Sequence, residues 1–173
     1  MTMQGFSRRT LLVALLAGVS YGAMIELDDD TFEHDTQAAS GATTGDWFVM
    51  FYTKGATKSV KCGACAKYLP VWEKIGQEIA TRKAEGSLYV NVAKVNIDAT
   101  PNLKVRFRRI LNKLPSIVLF KQGKMYHMAP PLGELEDILE FATDKFADTA
   151  PYSIPPEPSF LQRMLRWIQG DEL

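Results

Sequence analysis

Apolar and polar positions along this chain fall into blocks whose period switches, and each switch predicts a change of element. Trp47 to Tyr52 (Trp-Phe-Val-Met-Phe-Tyr) is an unbroken apolar run of strand length, the pattern of a strand covered on both faces of a sheet. It is expected to be the central strand. Upstream, Met24 to Leu27 predicts a short strand, Asp28 to Asp30 an acidic helix start ahead of Phe32, and Ala38 to Gly45 a small, polar loop. From Cys65 onward Leu69, Trp72, Ile75 and Ile79 recur at helical spacing, with Pro70 expected to bend the first turns. Leu88 to Ile97 is valine-rich and predicts a second strand, so strand, helix and strand imply a right-handed parallel crossover. Leu103 to Ile110 predicts a short basic helix. Ser116 to Lys121 and Lys124 to Met128, joined by Gln122-Gly123, predict a hairpin, and Leu135, Ile138, Leu139, Phe141 and Ala142 a last amphipathic helix. The order β-α-β-α-β-α-β-β-α predicts an α/β sandwich, a central mixed sheet flanked by helices, over residues 24–148.

Both flanks of that domain have a different texture. Arg8 and Arg9 stand ahead of the apolar run Leu11 to Val19, which meets Ser20, Gly22 and Ala23. That is the layout of a secretory signal peptide over residues 1–23, and Ser7 to Leu12 also resemble a twin-arginine export signal. A membrane anchor is the alternative, but the run is shorter than the roughly 20 residues needed to span. Residues 149–159 carry Pro151, Pro155, Pro156 and Pro158 and are expected to be a stiff linker. In the tail, residues 160–173, the apolar Phe160, Leu161, Met164, Leu165, Trp167 and Ile168 are amphipathic if helical. Docking on its own domain is the expectation for this tail, with a partner or a membrane surface as the alternative.

Charge narrows the function by what it lacks. Twenty basic and twenty acidic residues among 173 sum to zero, so no overall field points to a nucleic-acid partner. Any electrostatic function has to be local. The composition, 46% hydrophobic and 23% charged, suits one globular domain with short extras.

The chain has two cysteines, Cys62 and Cys65, in Cys-Gly-Ala-Cys between the central strand and the following helix. Cys62 is expected at the helix N-terminus, where unpaired N–H groups and the helix dipole favour a thiolate. Cys65, three residues on, can then attack a mixed disulfide formed at Cys62. No acidic residue lies between Asp46 and Glu73, whereas Lys54, Lys58, Lys61 and Lys67 do, and such cations depress a thiol pKa. Three other readings stand beside redox work. A zinc site would need more ligands, and neither His34 nor His127 lies at a zinc spacing from the pair. A permanently closed structural disulfide would shut a very short loop and stabilise little. A binding module could keep the motif without turning it over.

The order of these blocks resembles the thioredoxin superfamily, in particular its protein disulfide isomerase branch. The residues that carry the resemblance are the Trp47–Tyr52 strand, Cys62 to Cys65, Tyr68-Leu-Pro70-Val-Trp-Glu73, Val92 to Asp98, Leu114-Pro115 before Ser116 to Phe120, and Lys121 to Lys124. The resemblance implies a thiol-disulfide oxidoreductase with Cys62 and Cys65 as its redox disulfide. It also implies a cis Pro115 facing that pair, with Leu114 offering backbone groups to an extended substrate. Residues Thr53 to Lys61 form a longer loop than the family uses before the first cysteine, with Lys61 at a place commonly held by tryptophan. Lys61 is therefore a candidate substrate contact. Met50 stands where relatives have a buried acid, near the lysine matched by Lys94, and Ala64 where isomerases have histidine. Ala64 cannot stabilise the thiolate as histidine does, so a less oxidising couple is expected. Gly170-Asp171-Glu172-Leu173 resembles a retrieval signal, which with the leader points to the endoplasmic reticulum lumen, a bacterial periplasm or a secreted state being the alternatives. Expected partners are cysteine-containing client proteins and a redox partner protein or glutathione, with no nucleic acid, metal or organic cofactor. A client-binding chaperone or thiol-retention module of the same fold is the alternative function.

Overall fold

A computed structural model describes residues 24–40, 44–55 and 62–169. The leader-like residues 1–23, Lys58 and Lys61 of the long loop, and the retrieval-like residues 170–173 lie outside the described residues.

The predicted order of elements is found, with three additions at its end. Strands β1 (Ile25–Leu27), β2 (Asp46–Tyr52), β3 (Val90–Asn96), β4 (Ser116–Lys121), β5 (Lys124–Met128) and β6 (Tyr152–Ser153) alternate with helices α1 (Thr31–Thr36), α2 (Cys65–Ala84), α3 (Pro101–Arg106), α4 (Leu135–Thr143) and α5 (Phe160–Gln169). A single 3-10 turn, Lys145–Asp148, follows α4. The sheet runs β1-β3-β2-β4-β5-β6. Strand β3 is parallel to both β1 and β2, and the remaining pairs are antiparallel, so the sheet is mixed as expected. Strand β2 is buried from Trp47 to Tyr52, which explains why its sequence shows no alternation.

Side chains of β2 divide the core in two. Trp47, Val49 and Phe51 join Phe32, Leu103, Phe107 and Phe120 on the side of α1 and α3. Phe48, Met50 and Tyr52 join Cys65, Trp72, Ile75, Ile138 and Phe141 on the side of α2 and α4. The Trp72 indole N–H donates to the Ala93 carbonyl at 3.0 Å, pinning α2 across β3. At the β4–β5 turn Gln122 and Gly123 both have positive φ (49° and 69°), the pairing a tight two-residue hairpin needs.

Three expectations at element ends are corrected. The basic helix starts at Pro101 rather than Leu103, because proline is pre-shaped for a first helical position and Asp29 accepts the Asn102 and Leu103 N–H groups at 3.0 and 2.8 Å. It ends at Arg106, beyond which Ile110 N–H bonds Phe107 O and the chain tightens into three-residue turns. The stretch read as a linker is part of the sheet: Tyr152 pairs with Met125, Ile154 packs on the core, and the Arg106 Nε–H donates to Pro155 O at 2.8 Å. Finally, α5 does not bury its apolar face on the domain. Phe160, Leu161, Met164, Leu165 and Ile168 are all exposed, and the helix meets its domain only through Arg163, which lines a small cavity with Asp29, Glu33 and Arg106 among the described residues.

Candidate functional site

Strand β2 delivers the chain to the site at its C-terminal end. Thr53 is buried there and donates its hydroxyl to Asp98, which also accepts the Lys54 N–H at 3.0 Å. Asp98 thus fixes the start of the long loop, a role that the sequence signals only by an acid just past a strand. The loop returns at Cys62. Its sulfur is bonded to that of Cys65, with Cα atoms 5.4 Å apart.

The two cysteines differ in access. Cys62 is half-buried, whereas Cys65 is 1% exposed and packs with Met50, Tyr52 and Trp72. Helix α2 begins at Cys65, so Cys62 precedes its first turn, and a turn through exposed Gly63 and Ala64 brings the sulfurs together. The Cys65 N–H donates to Cys62 Sγ at 3.0 Å. An N–H at a helix start aimed at sulfur favours negative charge there.

Leu114 and Pro115 lie at the same end of the sheet. Strand β4 runs antiparallel to β2, with Ser116 opposite Phe51 and Ile117 opposite Met50, so the residues before Ser116 stand beside the end of β2. The Leu114–Pro115 peptide is cis. Leu114 is half-buried and packs, like Cys62, against the α2-side core, while Pro115 is buried. Ser116 and His127 hold this segment from behind: the Ser116 hydroxyl donates to Ile110 O at 3.1 Å and meets His127 Nε2 at 2.6 Å. Having given its one proton to Ile110, the hydroxyl accepts from the ring. Burial lowers the His127 pKa below its ordinary value.

Met50 is fully buried beneath this arrangement. Its register partner Lys94 reaches away to Glu73, 2.7 Å, and on the far side of β3 Glu26 accepts the Tyr52 hydroxyl at 3.0 Å. Burial, followed by the Glu26 contact, pushes the Tyr52 pKa up to about 12. The carboxylates on this face therefore stand towards the β1 and β3 edge. Of the lysines expected to surround the pair, Lys54 and Lys67 are exposed, and Lys67 lies 5.2 Å from the Tyr68 ring centroid. No group of three or more His, Cys, Asp or Glu that could hold a metal occurs among the described residues.

The thioredoxin family model matches residues 23–143, which takes in β1 through α4 and the cysteine pair. The chain belongs to the thioredoxin family. Within that family it is 33% identical over 132 residues to a thioredoxin domain-containing protein of Theileria parva, covering 76% of this chain and 53% of that one. It is 32% identical over 129 residues to the protein disulfide-isomerase TMX3 of Xenopus laevis, covering 75% and 24%. This thioredoxin-family chain thus spans about half the length of the first relative and about a quarter of the second. In solved structures the same fold recurs in the first thioredoxin domain of mouse protein disulfide-isomerase A4, with a TM-score of 0.52 at 21% identity, covering 78% of this chain and 81% of that one.

Proposed function

We propose that the chain is a thiol-disulfide oxidoreductase of the protein disulfide isomerase type, acting on cysteine-containing client proteins. One observation carries the reading: a half-exposed Cys62 receives a helix-start N–H on its sulfur and is bonded to a buried Cys65. In the reducing direction the Cys62 thiolate attacks a client disulfide, forming a mixed disulfide and releasing one client thiolate. Cys65, deprotonated, then attacks Cys62 Sγ, closing the Cys62–Cys65 bond and releasing the second client thiolate. Oxidation of clients is the reverse. Isomerisation occurs when another client thiol attacks the mixed disulfide before Cys65 does. Leu114 and Pro115 shape the substrate face, Lys61 in the long loop contributes to it, and glutathione or a redox protein resets the pair. The leader-like residues 1–23 and the retrieval-like residues 170–173 support a place of action in the endoplasmic reticulum lumen.

Met50 favours a second reading, a client-holding module that forms mixed disulfides and releases them slowly, because an apolar side chain shares the core with Cys65 where relatives have a buried acid to take its proton. The test is a pair of variants in a disulfide-reduction assay with a folded client. Cys62→Ser should abolish turnover, and Cys65→Ser should accumulate client adducts that a reducing agent dissolves. If Cys62→Ser retained full turnover, the oxidoreductase reading would fail. If the double variant suppressed client aggregation as well as the unaltered chain, and that chain showed no turnover, the holding module would replace it. Equilibration with glutathione buffers then sets the direction: a potential near roughly −180 mV fits oxidation and isomerisation, one near roughly −270 mV reduction.

A further inference from the structure

Two apolar surfaces stand open among the described residues, and they lie on opposite sides of the sheet. The first is a face of α5, where Phe160, Leu161, Met164, Leu165 and Ile168 follow helical spacing and are between 37% and 70% exposed. Isolated helices shorter than about 12 residues are marginal in water, so this ten-residue helix needs an apolar surface to lie on. The second is a groove of about 420 Å³ at the β1 edge, between α2 and the start of β3, with Met24, Ile25, Ile79, Ala80, Val90 and Val92 in its walls. Met24 can lie there because position 76 of α2 is glycine, where a Cβ would run into the Met24 methyl. Ile25 and the five side chains of α5 make six of the eight large apolar side chains exposed among the described residues, so exposure is concentrated on these two surfaces. One copy does not bring them together. β6, Ile154 and the Arg106 bond to Pro155 O hold the segment before α5, and Arg163 lines its cavity with Asp29 and Glu33, all on the side of α1 and α3. The groove belongs to the side of α2.

Length and area choose the occupant. The groove follows α2 from Glu73 to Lys83, about 15 Å of helix, and the ten residues of α5 also make about 15 Å. With roughly 100 Å² exposed on each large side chain of α5 and as much of the groove covered in return, one helix in one groove buries on the order of 1,000 Å². That is short of the roughly 1,200 Å² of a stable interface, whereas two such contacts related by a twofold axis bury on the order of 2,000 Å² and reach it. A second copy of the chain brings a groove for the helix and a helix for the groove at once. We propose that the chain forms a twofold dimer in which α5 of each copy lies in the α2–β3 groove of the other. Arg163 falls off the apolar face of α5, at a different angle around the helix, and keeps its place in its own domain. None of Cys62, Leu114 and Pro115 lines the groove, so the exchange leaves the substrate face open.

The test is sedimentation velocity of the full chain, which should show a dimer whose fraction rises with concentration. The double variant Leu161→Glu/Leu165→Glu alters the helix, and Ala80→Arg alters an exposed wall of the groove. Each should weaken association at least about tenfold, because a charge then enters an apolar contact. An equimolar mixture of the two variants should associate more strongly than either alone. In it an unaltered helix meets an unaltered groove, and the introduced carboxylates meet the introduced guanidinium. Each variant should keep the Cys62/Cys65 reduction potential of the unaltered chain, which shows that the domain is folded. The chain without residues 1–23 should associate as the full chain does. The proposal is overturned by a monomer at every concentration, by a mixture no stronger than its parts, or by a dimer that the helix variant loses and Ala80→Arg keeps, which would pair helix with helix. It is equally overturned if association needs residues 1–23, which precede Met24 and would then be the occupant of the groove.

Discussion

On the α1 and α3 face of the sheet, Phe32, Phe51, Phe107 and Phe120 pack ring against ring with centroids 5.3–6.3 Å apart, and the Arg106 guanidinium lies over Phe32 and Phe107. On the α2 and α4 face the corresponding depth holds Met50, Tyr52, Trp72 and the buried Cys65. Each face has an ion pair, but the two are unlike. Arg106 and Glu33 are 2.8 Å apart with side chains 2% and 22% exposed, whereas Lys94 and Glu73 are 2.7 Å apart at 17% and 44%. The first face buries its charge inside the aromatic cluster and uses it to hold the C-terminal segment. The second keeps charge at its rim and leaves an apolar setting around the bonded sulfurs of Cys62 and Cys65. One face is organised for stability, the other for access to Cys62.

Substitutions at the two ion pairs are the strongest way to break that contrast. Arg106→Ala should cost about 3 kcal/mol in denaturant unfolding, because Glu33 is left largely buried without its partner and the Pro155 contact is lost. Lys94→Ala should cost less than about 1 kcal/mol, since its partner is nearly half exposed to water. Equal effects would refute the division of labour. Smaller than the Arg106 effect, though larger than the Lys94 one, is the change expected from ending the chain at Asp148. Losing β6, Ile154 and the bond to Pro155 O should lower stability by about 2 kcal/mol. No loss would return residues 149–159 to the role of linker.

The smallest effect sharpens the comparison through pH. His127 faces the aromatic side, and its folded pKa lies below the ordinary 6.5 because burial disfavours its charged form. The unfolded chain then binds a proton at higher pH than the folded one. Stability is therefore held above about pH 6.5 and declines as the pH falls towards the lowered folded value. His127→Gln should flatten that part of a profile of melting temperature against pH. A profile unchanged by the substitution would mean that Ser116 and the segment carrying Leu114 and Pro115 are held without the imidazole.

Much of this was legible in the chain. The apolar run at Trp47–Tyr52 announces a strand covered on both faces, since only such a strand has no polar side. The hairpin around Gln122-Gly123 is found at the residues that its pattern marks, and the Cys62–Cys65 pair stands at the strand-to-helix junction. Each of these signals lies within a window of a few residues, where periodicity and turn chemistry act directly. The helix starting at Pro101 was misplaced by two residues because its N–H groups are met by Asp29, more than 70 positions away. Met50 can be read as an apolar residue at an unusual place, but that the carboxylates Glu73 and Glu26 stand towards the β1 and β3 edge follows only from the register of β1, β3 and β2.

The sequence by itself determined the kinds of element, their order, and the presence of two cysteines able to share one bond, because periodicity, turns and a two-residue spacing act over short stretches. Tertiary structure alone decided that Leu114 and Pro115 stand beside the end of β2, that the proline-rich segment completes the sheet, and that α5 is left with its apolar face in water. These depend on which surfaces other elements have already covered, and coverage belongs to the folded arrangement of the whole chain, which no local window contains.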